Sequence, residues 1–424
     1  MTQNDPVVVT GMGAVSPLGV GVETNWQRLL EGKSGVVRND RFDVSAYACT
    51  IAGLVPPRDR DPHGFDPRDH IDAKDIKKMD RFIQYGLAAA DEALKQARWT
   101  PQGEAERART ATVIGSGVGG SPLMAEAVET ILTRGPRRLS PFTVPAFLAN
   151  LAAGWVSIRY GFTGPIGAPV TACAAAGQAI GDGLRLIMTG EADVVVCGGA
   201  EGSIDPISVG GFSAARALCT SYNETPEKAS RPFDRDRAGF VLAEGSAMLV
   251  IERLSHARAR GAIPLAILAG YGTTADAYHL TAGHPEGRSA AVSMRHALSM
   301  AGLTPDDIDH INAHSTSTPV GDAAEIAAID SLFADRGREL AIASTKSATG
   351  HLLGAAGAIE AIFSVLSLRD GVVPATLNLE NPDEAAARFD LVAGAPRRRK
   401  LRHVLSNAFG FGGVNAALVF SAAP

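Results

Sequence analysis

Residues 167–187 read GAPVTACAAAGQAIGDGLRLI, and the reading of the whole chain turns on whether Cys173 in that stretch is a nucleophile or an apolar filler. Free cysteine is among the most buried residue types and packs as a small hydrophobe, so neighbouring Ala and Gly alone favour the filler. The local pattern adds a second fact. PVTAC has the character of a β-like stretch and AAAGQAIGDGLRLI that of a helix, which puts the thiol at a helix N-terminus. The positive field there favours thiolate and raises reactivity near neutral pH.

Outward from this stretch, short apolar runs ending in Gly or small residues recur: PVVVTGMG, ATVIGSGVGG, ADVVVCGGAE, AILAGYG, HINAH and HVLSNAFGFGG. They read as buried strands. Helical patterns lie between them. In RFIQYGLAAADEALKQA, Ile83, Leu87, Ala90 and Leu94 make one apolar stripe, with Asp91, Glu92 and Lys95 expected to face away. Strands alternating with helices predict an α/β protein. There is also an internal echo: ATVIGSGVGGSPLMAEAVETIL resembles HINAHSTSTPVGDAAEIAAID, and PVTACAAAGQAIGDGLRLI resembles IASTKSATGHLLGAAGAIEAIFSVL. Two similar halves are therefore expected, residues 1–265 and 266–424, meeting where RGAIPLAILAGYG begins a new strand.

The chain has 424 residues, 46% hydrophobic and 20% charged, which suits a soluble globular protein of two or three domain-sized units. A net charge of −5 argues against general nucleic-acid binding, since phosphate contacts need a surplus of Lys and Arg. Cys49, Cys173, Cys197 and Cys219 form no CxxC pair, which suits a reducing cytosol. MTQNDPVVVTGMG lacks the basic-then-apolar order of a signal peptide, and no apolar run reaches membrane-spanning length. A cytoplasmic protein without membrane contact is expected.

Three motifs resemble other chemistries and fail on inspection. GSGVGG has the GxGxxG spacing of a dinucleotide loop, but the acid expected about twenty residues on is missing from TRGPRRLSPF. EGKSG has Gln27 where a phosphate loop needs Gly. His310 and His314 have HxxxH spacing, but Ile311 stands in place of the general-base Glu and the segment reads as a strand, so no metal is expected. No GxSxG elbow occurs.

What survives is a set of small-residue segments that each carry a reactive group or flank one: Cys173 in VTACAAAG, His314 in NAHSTSTPVGD, Lys346 and His351 in STKSATGHLLGAAG, and the loop NAFGFGG. With VVVTGMGAVSPLGVGVETNWQRLLEGKSGV, KKMDRFIQYGLAAADEAL, ASRPFDRDRAGFVLAEGSAMLVIE and PATLNLENPD, these segments make nearly the whole chain resemble the 3-oxoacyl-(acyl carrier protein) synthases, most closely their synthase II group. The resemblance implies an α/β thiolase-like fold, layered α-β-α-β-α from two pseudo-repeated halves, and a homodimer. It implies that Cys173 takes an acyl group from carrier-protein phosphopantetheine, while His314 and His351 act on malonyl-carrier protein, whose enolate they stabilise as N–H donors. The oxyanion would lie between the amides of Cys173 and Phe411, with Phe409 and Phe411 as gate. Lys346 would order the histidines, with Glu360 as its structural partner. Thr316 and Thr318 would bind pantetheine. No cofactor bound by the enzyme itself is implied.

By the same resemblance the acyl pocket would involve Val118, Thr143, Gln178 and Phe212, and the acidic carrier protein would dock on Lys74, Lys77, Lys78, Arg137, Arg138 and Arg216. The run PRRRKLR near residue 400 matches no docking site. The sequence departs from its relatives at Ala175, Ala176 and Gln178 after the nucleophile, at Val118 and Thr143, and at Ser315 within the usual NAHGTS. Fatty-acid elongation is the expected activity. A stand-alone ketosynthase of a polyketide or specialised lipid pathway, and a non-catalytic chain-length partner, are the alternatives.

Overall fold

The computed structural model describes residues 5–424. Its first half is built in the order β1 Val7–Ser16, α1 Arg81–Ala97, β2 Thr110–Gly115, α2 Ser121–Arg134, α3 Leu151–Tyr160, β3 Ile166–Gly167, α4 Ala175–Met188, β4 Val194–Glu201 and β5 Gly245–Arg253. The second half follows the same plan, with β6 Ala266–Ala275, α5 Arg288–Ala301, β7 His310–Asn312, α6 Pro319–Phe333, β8 Ala341–Ala343, α7 Ala356–Asp370, β9 His403–Gly410 and β10 Val414–Ala422.

Strand order proves the repeat. The first half runs β3-β2-β4-β5-β1, the second β8-β7-β9-β10-β6, with the short strand Asp390–Leu391 added beyond β8. In each half the first three of these strands are parallel and the last two antiparallel. The two sheets join edge to edge through one short antiparallel ladder, Val8 opposite Ile267 and Val9 opposite Ala266.

Period-two alternation assigns each strand's faces to different layers. In β4, Val195 and Cys197 turn to the molecular centre, where they meet Ile180, Leu184, Ile359 and Phe420. Val194 and Val196 turn outward onto Phe82, Ile83, Leu87 and Val156 of α1 and α3. On the far side, Ile311, Leu405 and Val419 pack under Met294 and Leu298 of α5 and Ile326 and Ile329 of α6. The layers are thus α1/α3, first sheet, α4/α7, second sheet, α5/α6.

The central helices show why the sequence is rich in Gly and Ala there. Every residue of α7 from Ala356 to Leu368 is buried, as expected of a helix enclosed on all sides. A Cβ on Gly357 would lie 2.9 Å from the backbone nitrogen of Gly177, so α4 and α7 meet backbone to backbone. Helix α1 is capped by the Asp80 carboxylate, which accepts the Phe82 amide. Its stripe Ile83, Leu87, Ala90 and Leu94 is buried as expected. Glu92 departs from expectation: its carboxylate accepts the amides of Ala14 and Val22 at 2.9 and 2.8 Å, because the ends of β1 and its following turn leave those donors without partners.

Candidate active site

Cys173 sits in a one-turn 3-10 segment, Ala172–Ala174, that runs directly into α4. The expected strand ends earlier, at Gly167. Ala172 has φ of 49°, the left-handed region that costs a non-glycine residue energy and that persists where surroundings over-determine it. The elbow leaves Cys173 half-buried while Cys49, Cys197 and Cys219 are buried. From the second half, Gly410 approaches so closely that a Cβ there would lie 2.8 Å from the Thr171 carbonyl oxygen and 3.2 Å from the Cys173 nitrogen. The backbone amides of Cys173 and Phe411 lie near enough to the sulfur to favour its ionised form.

The expectation that the helix terminus holds this sulfur as thiolate is corrected. Burial pushes the thiol up to about 12, with Glu201 adding to the rise, and Lys346 and the two amides opposing it. The resting group is a neutral thiol.

Cys173 opens on a cavity of about 500 Å³ whose walls also hold His314, His351, Thr316, Phe409 and Phe411. The two imidazoles lie edge to face with centroids 5.4 Å apart. Burial, then Lys346 nearby, holds both well below the usual histidine value, and His351 lowers His314 further. Both rings are therefore neutral, and the Nδ1 atoms of both are buried without a protein partner. His314 packs on Phe409 at 5.7 Å, and His351 on Phe240 at 5.4 Å. Lys346 is fully buried and ion-paired to the equally buried Glu360. Desolvation raises the Glu360 carboxyl to about 7 against the pull of Lys346.

The loop Gly410–Gly413 carries Phe411 over the sulfur. Gly412 and Gly413 adopt φ of 85° and 81°, a turn that side-chain-bearing residues resist. Phe411 is 37% exposed and its ring stands 6.2 Å from that of Phe212. Thr316 and Thr318 line the same cavity, their hydroxyls 3.2 Å apart, and Thr318 caps α6 by accepting the Gly321 amide.

Other expected residues lie elsewhere. Of the four pocket residues only Phe212 is on the cavity wall. Val118 is 39% exposed on the surface, Thr143 opens a short helix, Thr143–Phe147, and the half-buried Gln178 donates to Asp182 one turn further along α4. Arg216 is at the cavity rim. Lys74, Lys77, Arg137 and Arg138 are exposed, Lys74 lies 3.7 Å from Asp72, and Lys78 is paired to Asp75 and lies over the Phe142 ring. His310 is separate from the site, its Nδ1 on the Ala341 carbonyl oxygen.

Three buried carboxylates were missed from sequence. Glu325 accepts the amides of His314 and Ser315, the Ser315 hydroxyl and the Asn407 side chain, and so fixes the strand end that presents His314. The hydroxyl of Ser315, absent from a glycine, adds one of those bonds. Asp322 accepts the Ser317 and Thr318 amides. Glu201 accepts the amides of Gly117 and Gly354. The only available signal was an acid among small apolar residues, as in VVVCGGAE.

A duplicated five-layer α/β fold, with one cysteine facing two neutral imidazoles across a shared cavity, defines a thiolase-like acyl-transferring enzyme. More narrowly, the chain belongs to the beta-ketoacyl synthase family: the family model for the beta-ketoacyl synthase N-terminal domain matches residues 4–257, and that for the C-terminal domain residues 265–380. The chain is 48% identical to 3-oxoacyl-[acyl-carrier-protein] synthase 2 of Rhizobium meliloti, over 97% of this chain and 98% of that one. It is 46% identical to the mitochondrial 3-oxoacyl-[acyl-carrier-protein] synthase of Arabidopsis thaliana, covering 98% and 93%. Among solved structures, a beta-ketoacyl synthase from Burkholderia phymatum superposes with a TM-score of 0.90 at 32% identity, covering 99% and 100%. A type II polyketide ketosynthase solved with its acyl-carrier protein, AntDE:AntF, gives 0.89 at 30% identity with full coverage of both chains. Among the described residues no helix is long and apolar enough to cross a membrane.

Proposed function

We propose that the protein extends acyl chains by decarboxylative Claisen condensation, joining an acyl group held on Cys173 to malonyl-acyl carrier protein in fatty-acid elongation. The observation that carries this is the convergence of the Cys173 sulfur, two backbone amides and two neutral imidazoles on one cavity. Cys173 attacks the thioester carbonyl of acyl-carrier protein, a new C–S bond forms, and the old C–S bond breaks. The proton that leaves the sulfur ends on the departing pantetheine thiol. The amides of Cys173 and Phe411 hold the oxyanion of that step.

Malonyl-carrier protein then enters beside Thr316 and Thr318. Its carboxylate leaves as carbon dioxide, and the electron pair of the broken C–C bond becomes an enolate. His314 and His351 donate N–H hydrogen bonds to that oxygen. Neutral rings suit this role, since an imidazolium would be costly to bury and would be drawn to the carboxylate rather than to the developing charge. The enolate carbon attacks the acyl group, the C–S bond to Cys173 breaks, and the sulfur takes up from water the one proton that each turnover consumes. Lys346 and Glu360 keep the surrounding charge and hydrogen bonds in order.

In this reading residues 1–265 carry the nucleophile and 266–424 the histidines, the lysine and the Phe409–Phe411 gate. The partner is acyl carrier protein, the enzyme works as a homodimer in the cytoplasm, and it binds no cofactor of its own. The identity of 44–48% to curated 3-oxoacyl-[acyl-carrier-protein] synthases, against 30% for the type II polyketide ketosynthase, supports elongation over polyketide synthesis. The retained Cys173, with His314 and His351, supports catalysis over a chain-length partner.

The test is incubation with acyl-carrier protein followed by peptide mass spectrometry. An acyl adduct on Cys173 is expected, lost in Cys173→Ala together with all condensation. An adduct confined to Cys49, Cys197 or Cys219 would overturn the assignment.

A further inference from the structure

The repeat supplies two mouths of the same design: Cys173 of the first lines the cavity, whereas in the second Leu353 lines it and Gly354, the counterpart of Cys173, does not. In the first, Ala172 with φ of 49° stands three residues before α4; in the second, Leu353 with φ of 46° stands three residues before α7. Cys173 in one mouth therefore corresponds to Gly354 in the other. The strands agree. Phe411 lies seven residues beyond Val404, which pairs with the first residue of β7, and Glu201 lies seven residues beyond Val194, which pairs with the first residue of β2.

Where the first mouth sets the amides of Cys173 and Phe411 near a sulfur, the second directs the amides of Gly354 and Gly117 to a carboxylate of the chain itself. One Glu201 oxygen accepts Gly117 at 2.7 Å and Gly354 at 3.1 Å. The other accepts the hydroxyls of Ser203 at 2.9 Å and Ser116 at 3.4 Å. The packing is tight: a Cβ on Gly117 would lie 2.8 Å from Glu201, 3.2 Å from the Gly354 nitrogen and 3.6 Å from the Ala172 carbonyl oxygen. Glu201 thus stands directly behind the elbow of Cys173 and holds the turn that follows His351.

We propose that Glu201 is a positioning residue of the condensation site: an internal carboxyl group that fills the second mouth, ties the Leu353–Gly354 turn to the loop at Gly117, and so sets the spacing of His351 and Cys173. This rests on the condensation reading. The carboxylate also acts on the thiol through space. Lys346 favours ionisation of the sulfur and Glu201, whose own carboxyl is raised by burial to about 7, opposes it once ionised; His314, His351, Glu325, Arg216, Asp276 and His284 are the other titratable groups on the cavity that Cys173 lines.

Glu201→Gln keeps an acceptor for the two amides and removes the charge. The expected result is a melting curve near that of the parent and iodoacetamide labelling of Cys173 about threefold faster at pH 8, equivalent to half a pH unit. Acyl transfer to Cys173 stays within about threefold while condensation falls more than about tenfold, since misplaced reacting groups lose rate steeply. Ser203→Ala serves if Glu201→Gln does not fold: with one donor fewer the carboxylate ionises less readily, so labelling shifts the same way by a smaller factor. An unshifted labelling profile with parental condensation overturns the proposal, as does an equal loss of acylation and condensation. Labelling needs no carrier protein. A labelling shift in a protein that fails to condense any acyl-carrier protein would therefore sink the functional reading and leave the tie between Glu201 and Cys173 standing.

Discussion

Cys173 and Cys197 both lie at helix α4, the first at its mouth and the second against its side, and differ in almost everything chemistry requires. Cys197 lies in β4 with its side chain between Val195 and the helix, wholly enclosed, and burial alone drives its thiol far up. Cys173 stands where the chain enters α4. Its thiol is also raised by burial, yet two amides and Lys346 work against that rise, and one side of the sulfur opens on the cavity. Both thiols are neutral at rest. The difference lies in preorganisation: only at Cys173 are donors already aimed where negative charge will develop, and such donors need no rearrangement at the moment of reaction.

That contrast breaks first at the histidines. If the site is built to receive charge, His314→Ala and His351→Ala should each leave acylation of Cys173 largely intact and lower condensation by about 10²–10³-fold, the usual cost of one lost oxyanion donor. Burst-phase acylation and steady-state condensation, measured separately, check this. Full condensation in either variant would remove the imidazole from the mechanism. Equal loss of both steps would turn it into a structural residue.

The histidines and the thiol were legible in sequence because each sits in a run of small residues, where a reactive side chain stands out. The duplicated fold was legible for a related reason: apolar runs ending in Gly mark strands, and the two echoed pairs of segments correspond to β2–α2 with β7–α6 and to α4 with α7. The buried carboxylates were not legible. Glu201 and Glu325 are held by backbone amides, and every residue except proline carries such an N–H, so no residue pattern announces the pairing. Ionisation of Cys173 escaped because a helix terminus is visible in sequence while desolvation is set by what the second half brings over the first. Val118, Thr143 and Gln178 were placed by resemblance, and a cavity wall depends on how distant loops pack rather than on which residues a motif contains.

The contrast sharpens under alkylation. In the folded protein Cys173 should be the residue labelled by iodoacetamide, while Cys197 reacts only after denaturation. Because the Cys173 thiol is held near 12 and thiolate is the nucleophile, its labelling rate should climb about tenfold per pH unit through pH 9 and 10. A plateau near pH 8 would show that the helix terminus outweighs burial and restore the thiolate expectation. Peptide mapping after timed labelling distinguishes the two.

The smallest effect is expected from the thiol that does no chemistry. Cys197→Ala removes one buried sulfur from a tightly packed contact: its Cβ lies 3.4 Å from where a side chain on Gly183 would begin, so β4 and α4 have little freedom to close the gap. The cost should be about 1–2 kcal/mol of folding stability, as for other small deletions in a core, read as a lowered denaturant midpoint with unchanged slope. Condensation should stay within about twofold, because both acceptors and donors of the site hang on the ends of these elements rather than on their middles. A large loss of condensation at unchanged stability would mean that the interior of β4 transmits to the mouth of α4, and the line drawn here between the filler and the nucleophile would have to move.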